Sequence, residues 1–330
     1  MSEPIKLPFV LDPNQTSDKA MVPHFLIKSP EEPKVLDLNS EIDINDATIR
    51  EMIAETMIAD IDDYSFEKHS EGHRKHLGGS IIGKPCSREL WYSFRWAKKE
   101  TFESESVKRT PGQLMRLFQR GHREETPLTQ YLEGIGCVFD ATKDTQLRIS
   151  DCEGHFGGSL DNVGTLPPKF KIPSKVLFEF KTSNMALFNK LKKEGLRKHK
   201  PIHFSQMCVY GYKTGIQFGC YVCVDKNTDE LYIEIVKLDF ELAAMMIEKA
   251  ARIITATYPP PKIAQTVTHF SCKWCSFKQI CHYNEPTEKN CRSCANAVPL
   301  ENGNWGCNLY GPIPENIIPI GCHSYTPLPT

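Results

Sequence analysis

The stretch Val176-Leu-Phe-Glu-Phe-Lys181, preceded by Gly157-Gly-Ser-Leu-Asp161, decides the fold that this sequence predicts. Apolar residues at positions 176, 178 and 180 alternate with the residues between and after them, which is the two-residue period of a β-strand. Glu179 and Lys181 therefore project from the same face of that strand. Asp161 precedes Glu179 by 18 residues, on a segment that we expect to form the neighbouring strand.

This arrangement predicts metal-assisted chemistry. Carboxylates from Asp161 and Glu179 are the hard oxygen ligands that Mg²⁺ and Mn²⁺ prefer. A lysine beside them could orient a hydroxide or neutralise a charged transition state, which suits hydrolysis of a phosphodiester bond. The alternative is a solvated strand face with a Glu–Lys pair, because an Asp and a Glu-x-Lys at loose spacing also occur by chance.

Composition limits the class of protein. A chain of 330 residues can form one elaborated domain or two, and 40% hydrophobic with 25% charged residues is typical of a soluble globular protein. The formal net charge of −1 gives no overall attraction to nucleic acid, so any contact with DNA must be local. No stretch approaches the roughly 18 apolar residues of a membrane span, so we expect no membrane association.

The N-terminal sequence has neither a basic region nor an apolar core, so it does not resemble a secretory signal. We therefore expect a cytoplasmic protein. Thirteen cysteines in such a protein favour metal ligation or free thiols over a disulfide framework.

The pattern along the chain predicts three regions, of which the last, residues 286–330, is a small cysteine-rich module. Residues 1–44, rich in proline, serine and acids, form a mobile or loosely docked arm, and residues 45–285 form the main domain. Asn45 caps a helix that extends to about Ile61. Thr110-Pro-Gly-Gln113 is a helix start with a capping box, and Pro127 should kink that helix or begin a new segment.

The remaining segments predict an α/β fold with a mixed sheet flanked by helices, because strands and helices alternate. The expected strands are 145–150, 155–163, 175–182, 216–224 and 231–238, and the expected helices are 184–195, 201–213 and 240–257. Cys220 and Cys223 should point to opposite faces of their strand, so they do not share a metal site.

Two groups of cysteines have the spacing of metal ligands. Three clustered cysteines and one distant cysteine can supply the four thiolates of a 4Fe-4S cluster, although zinc suits four thiolates equally. These residues are Cys86, Cys272, Cys275 and Cys281.

The second group lies in residues 286–330, which are turn-rich and have little apolar periodicity. A bound metal ion can stabilise such a segment in place of an apolar core, so we expect a small module held together by zinc. Its ligands are Cys291, Cys294, Cys307 and Cys322, with His323 as an alternative to the last.

Cys86-Ser-Arg-Glu-Leu-Trp-Tyr92 and the CKWCSFKQIC segment that ends at Cys281 bracket the Asp161 and Glu-x-Lys elements. In this order they resemble the iron–sulfur members of the RecB-like branch of PD-(D/E)XK nucleases, the group that includes AddB and the CRISPR-associated RecB-like exonucleases. The resemblance covers about residues 80–283 and implies a restriction-endonuclease-like fold. Leu160 stands where the family has a proline.

The resemblance also implies roles for individual residues. The metal ligands would be His122, Asp161, Glu179 and the backbone carbonyl of Phe180, holding Mg²⁺ or Mn²⁺. Lys181 would position the nucleophile or stabilise developing charge. Gln206 and Tyr210 would support Lys181 and hold the scissile strand, and Glu125 is a candidate for a supporting or second-metal role.

Contact with DNA requires local positive charge. The candidates are Arg88, Lys190, Lys192, Lys193, Arg197 and Lys198. A solvated helix face explains the lysine run equally well. The aromatic residues at positions 91, 92, 94 and 96 could stack single-strand bases or pack around Cys86, and we favour packing.

The sequence therefore predicts a metal-dependent DNA exonuclease in recombination, repair or replication. Its substrate would be single-stranded DNA or DNA with free ends, and it would work beside a recombination or helicase partner. The alternatives are a non-cleaving DNA-end-binding protein and a processing subunit that is active only within a larger complex.

Overall fold

The computed structural model describes residues 45–70, 72–98, 110–140, 147–172 and 174–329. The predicted arm over residues 1–44 lies outside these ranges. The chain divides into two compact units, Met1–Ala54 and Glu55–Thr330. Residues 45–54, which contain the start of the first helix, are the described part of the first unit.

The helices in these ranges are α1 (Ala47–His69), α2 (Ser87–Phe94), α3 (Pro111–Gly134), α4 (Met185–Glu194), α5 (Leu196–His199), α6 (Pro201–Thr214), α7 (Phe240–Thr255), α8 (Phe270–Lys273) and α9 (Lys278–Tyr283). The strands are β1 (Leu77–Gly78), β2 (Val138–Phe139), β3 (Arg148–Asp151), β4 (Phe156–Ser159), β5 (Asn162–Thr165), β6 (Val176–Ser183), β7 (Phe218–Asp225), β8 (Leu231–Lys237), β9 (Ala297–Pro299), β10 (Trp305–Cys307) and β11 (Gly311–Pro312). No helix of the described chain is long and apolar enough to cross a membrane.

A mixed five-stranded sheet is the centre of the fold, in the order β2-β5-β6-β7-β8. The β6–β7 pair is parallel, whereas the β2–β5, β5–β6 and β7–β8 pairs are antiparallel. Helices cover both faces, so the prediction of an α/β mixed sheet flanked by helices is confirmed.

The two faces of β6 and β7 are buried against different helices. Phe178 and Cys220 belong to an apolar cluster with Leu128 and Leu132 of α3. Leu177 and Cys223 belong to the main core, which includes residues of α4 and α6. The expectation that Cys220 and Cys223 point to opposite faces is therefore confirmed.

Helix α3 begins as predicted but does not stop at Pro127. The Thr110 hydroxyl oxygen accepts a hydrogen bond from the Gln113 backbone N–H, and the Gln113 side chain accepts one from the Thr110 N–H, which completes the capping box. Proline removes one helical hydrogen bond. The helix nevertheless continues to Gly134, because Leu128 and Leu132 beyond the proline are buried against the central sheet.

The single strand predicted over residues 155–163 is wrong. The chain forms β4 and then β5, which lie in different sheets, because β4 pairs with β1 and β3 instead of joining the central sheet. Leu160 and Asp161 occupy the break between them. This break places Asp161 directly before the start of β5, an internal strand of the central sheet.

Residues 286–329 pack against the rest of the larger unit. Trp305, Ile318 and Leu328 belong to the same apolar cluster as Trp91 and Phe94 of α2. The predicted boundary at residue 285 is therefore not a break in packing.

Candidate functional site

Asp161 and Glu179 face each other across the β5–β6 pair. Asn162 is the register partner of Phe178 in this antiparallel pair, so Asp161, one residue earlier, lies opposite Glu179, one residue later. The backbone N–H of Phe180 donates a hydrogen bond of 2.8 Å to Asp161 Oδ2. The two carboxylates predicted to act together are therefore neighbours.

Glu179 is completely buried, with 0% of its surface exposed. Gln206 Nε2 donates a hydrogen bond of 2.8 Å to Glu179 Oε1, and the Lys181 ammonium forms an ion pair with the same oxygen. Glu179 Oε2 is buried with no hydrogen-bond partner among the described residues. Burial, followed by repulsion from Asp161, raises the pKa of the Glu179 carboxyl to about 7.

The Lys181 ammonium lies where three oxygen groups converge. It pairs with Glu179, donates a hydrogen bond of 3.0 Å to the Phe180 carbonyl, and lies 3.7 Å from Asp161 Oδ2. Burial alone would lower the pKa of Lys181, but the charges of Glu179 and Asp161 outweigh it and raise the pKa. The oxygens of the predicted metal-binding set thus surround a cationic group, which shows that this donor set suits a positive charge.

Helix α6 brings Gln206 and Tyr210 to the same face of the sheet. The i, i+4 spacing puts both side chains on one side of the helix, and both are buried. A Cβ at Gly158 would lie 2.1 Å from the Tyr210 hydroxyl oxygen, so the glycine allows the tyrosine to approach β4. Burial, and then the charges of Glu179 and Asp161, raise the pKa of Tyr210.

Helix α3 brings Glu125 within electrostatic reach of Asp161 and Lys181. Burial, and then the negative charge of Asp161, raise the pKa of Glu125. His122 Nδ1 lies 3.2 Å from Glu125 Oε1, and its side chain is 69% exposed. Among the described residues, no three His, Cys, Asp or Glu side chains form a group that could hold a metal ion, so His122 does not complete one with Asp161 and Glu179.

His203 is a further residue near Lys181, and the sequence interpretation did not include it. It lies three residues before Gln206 on the same face of α6, and its Nδ1 is 3.0 Å from the Tyr221 hydroxyl oxygen. Burial, and then the positive charge of Lys181, lower the pKa of His203 to about 3, so the imidazole is neutral. The i, i+3 spacing from Gln206 was the available signal.

The first set of cysteines lines a single cavity. Two donors point at its sulfurs: the Glu89 backbone N–H is 3.4 Å from Cys86 Sγ, and Arg88 Nη1 is 4.0 Å from Cys281 Sγ. The thiols do not already form a ligand group, so side-chain rotation would have to complete one. The thiols that line the cavity are those of Cys86, Cys272, Cys275 and Cys281.

The second set of cysteines is also brought together. Burial, and then the neighbouring thiols of Cys322, Cys294 and Cys307, raise the pKa of Cys291 to about 11. The Thr326 backbone N–H lies 3.4 Å from Cys294 Sγ. The fold therefore brings these thiols near one another from positions up to 31 residues apart in the sequence, but, as in the first set, they do not already form a ligand group.

Three of the DNA-binding candidates have internal partners. Arg88 Nε donates a hydrogen bond of 2.6 Å to the Pro260 carbonyl. Lys192 forms an ion pair with Glu230, and Arg197 lies 2.9 Å from Asp239. These contacts give each of the three cations a structural role. The exposed candidates that remain are Lys190, Lys193 and Lys198.

The aromatic residues of α2, and Trp96 just after it, are core residues. Trp91 and Tyr92 are 0% exposed, Phe94 is 2% exposed and Trp96 is 8% exposed. The Trp96 ring stacks on His73, with centroids 4.9 Å apart, and the Arg292 guanidinium lies 4.4 Å from its centroid. The packing interpretation is therefore confirmed for these four residues.

No protein-family model matches this chain, and a search among curated proteins finds no match. Among solved structures, the alkaline exonuclease LHK-Exo from Laribacter hongkongensis is similar over 58% of this chain and 90% of its own, with 17% identity and a TM-score of 0.38. LHK-Exo in complex with dAMP matches 54% of this chain and 86% of its own, with 18% identity and a TM-score of 0.39. SSO0001 matches 69% of this chain and 96% of its own, with 16% identity and a TM-score of 0.39. With identities of 16–18% and TM-scores below 0.4, these similarities carry no argument about the chemistry of the site.

Proposed function

We propose that this protein is a divalent-metal-dependent nuclease that degrades DNA from an end. The observation that carries the proposal is the convergence of Asp161, Glu179 and the Phe180 carbonyl on the Lys181 ammonium, which the same strand supplies. Hard oxygen donors around a positive charge are typical of Mg²⁺ and Mn²⁺ sites. The choice of DNA as substrate rests on the family resemblance of the sequence.

In this proposal Asp161, Glu179 and the Phe180 carbonyl hold the cation, and Glu125 or His122 completes the set after rotating. A bound divalent cation would lower the pKa of a water molecule and offset charge on the phosphate. Lys181 orients the attacking group. The hydrogen bond from Gln206 fixes the Glu179 carboxylate, so the strand and helix hold the site rigid before the substrate arrives.

We also propose that the two cysteine sets hold metals. The cavity of Cys86, Cys272, Cys275 and Cys281 would bind a 4Fe-4S cluster, and the N–H groups of Arg88 and Glu89 that face two of the sulfurs support this assignment. The gathered thiols of residues 291, 294, 307 and 322 would bind zinc. Both metals would stabilise the fold and take no part in cleavage.

A nuclease assay on the purified full-length protein tests the proposed activity. With Mn²⁺ or Mg²⁺, an end-labelled linear strand should be degraded, a circular single strand should stay intact, and removal of the metal should stop the reaction. Binding of DNA ends without any cleavage would instead support the non-cleaving alternative. Cleavage of the circular single strand would contradict the assignment as an exonuclease but would still support nuclease activity. Activity that appears only with an added recombination or helicase protein would support the processing subunit.

Iron content tests the first cysteine set without measuring activity. Protein purified without oxygen should be brown and carry about four irons per chain, as a cubane cluster on four thiolates does. Cys275→Ser should lose most of this iron, whereas Cys152→Ser, a control at another partly exposed cysteine, should keep it. A colourless wild-type protein that contains zinc and no iron would show that this set is a zinc site.

A further inference from the structure

A second cavity lies beside the catalytic site and is rich in positive charge. Its volume is about 260 Å³, and it is formed by the segment from His73 to Lys98 together with Ser276 and Phe277. Its ionisable lining consists of His73, Arg74, His76, Lys84, Lys98 and Glu89. Neither the proposed cation site nor the two cysteine sets use these basic groups.

The positive charge in this cavity is not balanced. Glu89, the single acidic side chain of the lining, lies 2.5 Å from Lys84 and is neutralised by it. Within the described ranges, Arg74 and Lys98 form no ion pair with a carboxylate. Burial, and then the positive charges of Arg74 and Arg292, lower the pKa of His76, which agrees with an electropositive surrounding. Such a cavity suits an anion.

The cavity shares a wall with the catalytic site. Gly78, which lines the cavity, is the register partner of Gly157 in the parallel β1–β4 pair. A Cβ at Gly79 would lie 2.7 Å from the Tyr210 ring, and one at Gly158 would lie 2.1 Å from its hydroxyl oxygen. Tyr210 therefore lies directly behind this wall, and its charged neighbours include both Glu179 and Arg74.

The aromatic rings around the cavity are already committed to other contacts. Trp96 lies between His73 and Arg292, and Tyr92 packs against Phe277, with ring centroids 5.6 Å apart. These rings are not free to stack on a base, so the cavity offers charge rather than base recognition. Phosphate groups are the part of a nucleic acid that such a surface contacts, independently of sequence.

The size of the cavity favours a single strand over a duplex as the bound form of DNA. A volume of about 260 Å³ is close to the lower end of ligand sites, roughly 300 Å³, and admits a single nucleotide unit. A duplex, whose major groove alone is about 12 Å wide, does not fit. We propose that Arg74 and Lys98 bind the phosphates of a single DNA strand that continues into the catalytic site. This inference rests on the proposed function, because it names the strand on which that site would act.

Binding measured without cleavage tests this inference. The probe is a fluorescent oligothymidylate of about 12 nucleotides, added to the full-length holoprotein without Mg²⁺ or Mn²⁺. The double variant Arg74→Gln/Lys98→Gln should bind at least about tenfold more weakly. The slope of log affinity against log salt should fall by about 1.4, because each lost phosphate contact on a single strand contributes roughly 0.7.

The matched control removes two exposed lysines elsewhere, Lys237→Gln/Lys289→Gln, and should leave affinity and salt slope unchanged. Unchanged thermal midpoints for both double variants would show that the fold is intact, as expected because Arg74 and the control lysines are exposed and Lys98 is partly exposed. If the Arg74/Lys98 variant binds as wild type does, or if wild type binds no strand at all, the inference is overturned. Preference for oligouridylate over oligothymidylate would overturn the assignment to DNA.

The outcomes also separate this inference from the proposed function. If the wild-type protein binds the strand through Arg74 and Lys98 but never cleaves it, the strand-binding inference holds and the proposal of a nuclease is wrong. If the Arg74/Lys98 variant cleaves DNA normally and binds the strand with wild-type affinity, the proposal of a nuclease holds and the strand-binding inference is wrong.

Discussion

Replacement of Glu179 by glutamine should lower the rate of metal-dependent DNA cleavage by about 10³-fold or more. A metal acting on the phosphate contributes several kcal/mol, and each 1.36 kcal/mol is tenfold in rate, so loss of a ligand carboxylate removes about three powers of ten. Glutamine has nearly the same shape and keeps an oxygen that can accept the hydrogen bond from Gln206. The assay is Mn²⁺-dependent degradation of an end-labelled single strand.

The Glu179→Gln protein should remain folded, with a thermal midpoint at or above that of wild type. Glu179 is a buried carboxylate opposite Asp161, and removing its charge relieves repulsion between the two. Glu133→Gln, at an exposed position near the end of α3, is the control and should cleave as wild type does. Undiminished cleavage by the Glu179 variant would mean that the active site lies elsewhere.

Replacement of Arg292 by alanine should destabilise the larger unit by about 3–5 kcal/mol. Arg292 is 1% exposed and donates hydrogen bonds to the carbonyls of Lys75 and Phe94. Its guanidinium lies 4.7 Å from the ring centroid of Phe94 and 4.6 Å from that of Trp305. Removing it leaves three carbonyls, those of Arg74, Lys75 and Phe94, without this donor and opens a cavity between the rings. Chemical denaturation of the metal-loaded protein measures the loss.

Arg252→Ala is the control for this variant. Arg252 lies on the surface of α7 and pairs with Glu248 at i, i+4, so its loss should cost less than about 0.5 kcal/mol.

Limited proteolysis of the Arg292 variant also tests the predicted boundary at residue 285. If the C-terminal segment folds as a separate module, a resistant and active fragment ending near that residue should persist. Loss of resistance along the whole chain would show that the segment is part of the nuclease core.

The pairing of Asp161 with Glu179 could be predicted because it depends on short-range patterns. Alternation along residues 176–181 fixes the face of Glu179 and Lys181, and Asp161 precedes Glu179 by 18 residues, which favours pairing of the two consecutive strands. Helical spacing likewise placed Gln206 and Tyr210 on one face. The same spacing rule places His203 on the face of α6 that carries Gln206.

Other parts of the site could not be obtained in this way. The break between β4 and β5 is a division between two sheets, and it depends on β1, which lies about 80 residues before β4 and contains two residues. The continuation of α3 through Pro127 depends on burial of Leu128 and Leu132, which overrides the local preference of proline. Stacking of the aromatic residues at positions 91, 92, 94 and 96 on bases stayed an alternative to packing until their neighbours from residues 292 and 305 were known.

The sequence by itself determined the strand that carries Glu179 and Lys181, the helices around it, and the grouping of the cysteines by spacing. These features are local, since backbone geometry fixes them within a few residues. Only the tertiary structure decided that the Lys181 ammonium lies among the oxygens of Asp161, Glu179 and Phe180. It also decided that Arg74 and Lys98 line a cavity behind Tyr210. Charge and burial at such positions depend on residues far away in the chain, and packing brings them together without leaving a periodic trace in the sequence.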